Sequence, residues 1–80
     1  MRQRFILYGT DGCHLCDLAR ELVHTVLDPR RAELDEVDIC GDDELEARYG
    51  VRIPVLKLAD SEAELGWPFD VQQLRQFAGR

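Results

Sequence analysis

The chain has 80 residues, 45% hydrophobic and 32% charged, which argues against disorder and fits one small domain over residues 1–80. Its formal net charge of -6 at pH 7 disfavours nucleic acid and anionic lipid, which are held by concentrated Lys and Arg. No apolar stretch approaches the ~20 residues that span a bilayer, and Phe5-Ile6-Leu7-Tyr8 is too short for a signal-peptide core, so a soluble, cytoplasmic monomer is expected.

In chain order, Phe5-Ile6-Leu7-Tyr8 ends at Gly9 and reads as a buried strand. Thr10-Asp11-Gly12 is a turn. Leu15, Leu18, Ala19, Leu22, Val23, Val26 and Leu27 then recur at helical spacing, which predicts an amphipathic helix stopped by Pro29. Leu15 is expected to open the apolar stripe. Alternation through Glu33 to Ile39 predicts a second strand, with Cys40 closing it as a buried free thiol. Asp42-Asp43-Glu44 places acids where a helix N-terminus favours them, and Gly50 at the C′ position closes that short helix. A third strand is expected over Val51 to Leu58, entered through Pro54. Asp60-Ser61-Glu62 turns into a brief fourth strand, Ala63 to Leu65. Asp70 is an N-cap candidate for a last helix carrying Val71, Leu74, Phe77 and Ala78. The order β-α-β-α-β-β-α predicts an α/β fold with a four-stranded mixed sheet covered by three helices. Its first two strands should be parallel and its last two antiparallel. The acidic run over residues 32 to 47, which holds no Lys or Arg, reads as a solvated face.

Three cysteines are an odd count, and Cys13 and Cys16 stand at the start of the first predicted helix. Disulfide exchange needs a reachable thiolate and a second thiol near enough to resolve the mixed disulfide. Unsatisfied amides and the positive end of the helix dipole stabilise an anionic sulfur at an N-cap, and a residue three further on lies one turn above it. Cys13 is therefore the candidate nucleophile and Cys16 the resolving thiol. Asp11 and Asp17 flank the pair and oppose a thiolate, and His14 between the cysteines is a candidate assistant.

The segments Leu7-Tyr8-Gly9-Thr10-Asp11-Gly12-Cys13-His14-Leu15-Cys16 and Tyr49-Gly50-Val51-Arg52-Ile53-Pro54-Val55-Leu56 resemble the glutaredoxin-like branch of the thioredoxin-like superfamily, most closely small bacterial glutaredoxin-like proteins. The resemblance extends over nearly the whole chain. It implies a thioredoxin-like fold, a cis peptide before Pro54, and a substrate surface drawn from Thr10, Gly12, His14, Arg52, Ile53, Pro54 and Asp70. In this reading free backbone groups of Ile53 pair with an extended substrate. It also implies protein or glutathione mixed disulfides as partners, glutathione as a co-substrate and no bound cofactor. The lysine that many glutaredoxins carry three residues before the nucleophile is Thr10 here, and the glycine-rich element before the last helix is Gly66-Trp67-Pro68-Phe69-Asp70, with Arg52 the nearest substitute cation.

Two other readings start from the same residues. Cys13, Cys16 and Cys40 with His14 or His24 supply enough donors for a zinc site, or Cys13 an iron–sulfur site shared between chains. Alternatively the chain is a non-catalytic interaction module of the same fold.

Overall fold

The computed structural model describes residues 2–79. Among them the order is β1 (Gln3–Gly9), α1 (His14–Val26), β2 (Ala32–Asp38), α2 (Asp43–Tyr49), β3 (Val55–Leu58), β4 (Glu64–Gly66) and α3 (Val71–Ala78). The sheet order is β2-β1-β3-β4. β1 and β2 are parallel, as a helix crossover requires, and β3 runs antiparallel to both β1 and β4.

Strand alternation divides the core between the two faces of the sheet. Phe5 and Leu7 of β1 and Leu56 of β3 pack with Ala19 and Val23 of α1 and Leu74 and Phe77 of α3. Tyr8 of β1 and Val55 of β3 join Ile39 and Tyr49 on the other face, under α2. Tyr8 and Tyr49 are stacked there, with ring centroids 4.2 Å apart.

Local chemistry sets the element ends. The Asp42 side chain accepts from the Glu44 and Leu45 amides and starts α2. Asp70 and Gln73 form a reciprocal capping box at the start of α3. Gly50 is itself the C-cap, at φ -49°, rather than a left-handed residue beyond it. Glycine is favoured there by close approach, since a Cβ would stand 2.4 Å from the Glu46 carbonyl oxygen.

The third strand is shorter than expected. The Arg52 and Ile53 amides both donate to the Tyr49 carbonyl, at 2.8 and 3.0 Å, so residues 51–53 form a turn off the end of α2. Pro54 has no amide to give a ladder, and pairing begins at Val55.

Candidate active site

Strand polarity gathers the site at one end of the sheet. β1 ends at Gly9, opposite Asp38 at the end of β2. At the same end β3 begins, with Val55 paired to Tyr8 and to Gly66, the last residue of β4. The segments around Cys13, Cys40, Pro54 and Trp67 therefore emerge together, and the Trp67 amide donates to the Pro54 carbonyl at 3.1 Å.

Gly12 takes φ 76°, a left-handed conformation that glycine adopts without strain, and turns the chain into α1. Cys13 is the N-cap residue, with extended backbone. Its sulfur accepts the Cys16 amide at 3.2 Å, so one of the orphan amides of the first turn is satisfied by sulfur. Cys13 is partly exposed, whereas Cys16 is 3% exposed. Burial, and then donation from its own S–H to the Cys13 sulfur, push the Cys16 thiol up to about 11; the Thr10 amide opposes this by donating to the sulfur. The two thiols are thus unequal: one is reachable and amide-bonded, the other is buried and protonated.

Leu15 departs from expectation: it is 44% exposed, and Leu18 is 39% exposed. The core-facing stripe of α1 is Cys16, Ala19 and Val23. Leu15 sits ~100° round the helix from Cys16, so with the sulfur inward the leucine faces out. His14 is exposed.

The other sequence candidates fall into two groups. Thr10 lies against Cys16, and Pro54 is buried behind a cis Ile53–Pro54 peptide. Arg52 and Asp70 are already engaged. Arg52 bonds Glu64 at 2.9 Å and lies over the Tyr49 ring, 5.5 Å from its centroid. Glu64 also accepts the Tyr49 hydroxyl at 2.6 Å, and these bonds hold its carboxyl below the usual range. Asp70 accepts the Gln73 amide at 2.8 Å.

Cys40 is exposed rather than buried. β2 ends at Asp38, Ile39 takes the inward position, and the Asp38 carboxylate accepts the Cys40 amide at 2.8 Å as the chain turns at Gly41. His24 is exposed on α1. Among the described residues no three His, Cys, Asp or Glu side chains are grouped to hold a metal ion, so the zinc donors counted in the sequence are not gathered.

Two features escaped the sequence reading. A Cβ at Gly9 would stand 3.0 Å from Cys16 Sγ, so the missing side chain makes room for the Cys16 thiol; a glycine at the end of a strand and before the cysteine turn was the available signal. An open cavity of about 230 Å³ also adjoins Cys16, lined by Asp11, Arg20, Glu36 and Asp38 among others. Arg20 there bonds Glu36 and Asp17. Glu36 and Asp38 lie in the acidic run read as a solvated face, and only the pairing of β1 with β2 brings them beside α1.

A glutaredoxin-like domain family model matches residues 4–77. The X-ray structure of the structural-genomics target protein XcR50 from X. campestris is 40% identical, covering 94% of this chain and 95% of that one, with a TM-score of 0.82. The solution structure of the same protein is also 40% identical, covers 94% and 91%, and has a TM-score of 0.79. Thioredoxin 1 from the thermophilic eubacterium Thermosipho africanus TCF52B shares the fold at 15% identity, covering 96% of this chain and 91% of that one, with a TM-score of 0.71. No curated protein matches.

Proposed function

The chain belongs to the glutaredoxin-like domain family and has a thioredoxin-like fold, and from that premise we propose that it is a thiol–disulfide oxidoreductase using Cys13 as nucleophile and Cys16 as resolving thiol. The observation that carries this reading is the Cys16 amide donating to the Cys13 sulfur at 3.2 Å, with Cys16 itself buried beneath. The Cys13 sulfur stands at the N-cap of α1, and the partial exposure of that residue admits a substrate.

In the exchange, the Cys13 thiolate attacks one sulfur of a substrate disulfide. The substrate S–S bond breaks, one substrate sulfur leaves as thiolate and takes a proton, and a Cys13–substrate disulfide forms. Cys16 then attacks the Cys13 sulfur, and its proton passes to the second substrate sulfur as that leaves, or to water. The second substrate sulfur leaves, and the protein holds a Cys13–Cys16 disulfide. The substrate gains two electrons and the protein loses two, so an external thiol reductant must restore the pair. Burial holds the Cys16 thiol neutral, so it gives up its proton only as it attacks the mixed disulfide.

Protein disulfides and mixed disulfides with glutathione are the substrates in this reading, with glutathione a co-substrate rather than a resident cofactor. The exposed Leu15, Ile53 beside the cis peptide and the Trp67 segment supply an apolar rim for an extended chain. The test is a trap. Cys16→Ser should accumulate a mixed disulfide through Cys13 when offered a glutathionylated peptide, while the native pair turns over with excess reductant. Absence of both the trapped adduct and turnover would favour the non-catalytic module.

A further inference from the structure

We propose that the cavity beside Cys16 makes this centre select disulfides flanked by a Lys or Arg side chain over anionic disulfides such as that of glutathione. The inference rests on the exchange reading above and names its substrate class. The cavity of about 230 Å³ is lined by Cys16, whose amide bonds the Cys13 sulfur, so in this proposal a group carried on the Cys13 mixed disulfide extends into it. Among the described residues that line it, Asp11, Glu36 and Asp38 stand against one cation, Arg20. That guanidinium is committed to Glu36 and, at 3.0 Å, to Asp17, so it offers little charge to an incoming carboxylate. On the far side of the cysteine pair the arginine suited to an anion, Arg52, is held by Glu64. Asp70, which caps α3, adds a further negative charge to the segment after β4.

The occupant follows from this charge balance. Among the described residues, a carboxylate entering the cavity meets Asp11 and Asp38 and no uncommitted cation, Glu36 being paired with Arg20, whereas an ammonium or guanidinium meets opposite charge with part of its hydration removed. The whole-chain charge of -6 acts in the same direction on approach. Steering of this kind changes association rates by roughly 10- to 1000-fold at low salt and fades as the screening length falls below ~8 Å.

The test uses the reduced full-length protein and three small disulfides: cystamine, bis(2-hydroxyethyl) disulfide and dithiodipropionate, which are cationic, neutral and anionic. Each rate of protein thiol loss is divided by the rate of the same disulfide with 2-mercaptoethanol, which removes intrinsic reactivity. At low salt the normalised rate for cystamine should exceed that for dithiodipropionate by about tenfold or more, and 0.5 M salt should bring the ratio near one. Asp11→Asn and Asp38→Asn should each narrow the low-salt ratio by about twofold or more; asparagine at 38 can still accept the Cys40 amide. Equal normalised rates, an anionic preference, or a ratio insensitive to both substitutions would overturn the charge selection while leaving the exchange reading intact. Failure of all three disulfides to oxidise the pair would remove the exchange reading and this inference with it.

Discussion

Cys16 Sγ lies over Gly9 so closely that a Cβ at position 9 would stand 3.0 Å from it, and 3.2 Å from Cys16 Cβ. The end of β1 and the first turn of α1 are thus fitted around the Cys16 sulfur. Gly9→Ala should destabilise the reduced protein by roughly 1 kcal/mol through overpacking. The penalty should shrink when the sulfur is removed in Cys16→Ala, a coupling that denaturant melts of the four proteins in the cycle would measure. An equal penalty in both backgrounds would show that the sulfur is not what crowds the site.

The two thiols should separate by pH in alkylation. In native protein at neutral pH, iodoacetamide should modify Cys13 well before Cys16. Burial favours the neutral form of a thiol, so the Cys16 thiolate appears only as pH climbs toward about 11. In Cys13→Ser the hydrogen bond to sulfur is lost but the burial remains. Alkylation of Cys16 should then still have its midpoint above the ordinary value of 9.0. Peptide mapping after alkylation across a pH series reads both results.

Glu64 ties stability to acid. Its carboxyl is held below its ordinary value of 4.5, first by the Tyr49 hydroxyl and then by Arg52, against some desolvation. As pH falls through and below about 4.5 the unfolded chain takes up the proton first. This contribution is therefore complete above that range, declines within it, and is gone once the folded carboxyl is also protonated. Urea melts from pH 7 to pH 3 should show a smaller acid loss in Glu64→Gln than in the native chain. Tyr49→Phe should cost about 2 kcal/mol near neutrality, as expected for one lost hydrogen bond to a charged group.

Asp70 is assigned to the helix rather than to substrate. Asp70→Ala should lower stability by about 1 kcal/mol, while Asp70→Ser, which keeps a capping oxygen, should recover most of it. If Asp70 instead held a substrate amine, both variants would raise KM with little change in the melt. Steady-state kinetics beside thermal denaturation separates the two roles.

Much of the fold was legible along the chain because its causes are local. The element order, the parallel first pair, the caps at Asp42 and Asp70 and the strand–turn–helix setting of Cys13 and Cys16 all follow from spacing within a few residues. Local reasoning also placed one cysteine a turn above the other. Its errors fell where a local pattern had more than one three-dimensional outcome. Apolar spacing puts Leu15 and Leu18 on one stripe with Ala19, Leu22, Val23, Val26 and Leu27; the last five pack on the core, joined by Cys16, while Leu15 and Leu18 at its edge face out. Residues 51–53 look like strand, yet the Arg52 and Ile53 amides are claimed by the Tyr49 carbonyl at the end of α2.

The sequence by itself determined which sulfur begins a helix, because an N-cap is a relation among residues close in the chain. Only the tertiary structure decided which sulfur is buried, that Glu64 occupies Arg52, that Cys40 faces outward and that carboxylates from β2 stand beside Cys16. Those relations join segments distant in sequence, and their energies depend on which surfaces lose water together when the strands pair and the helices pack.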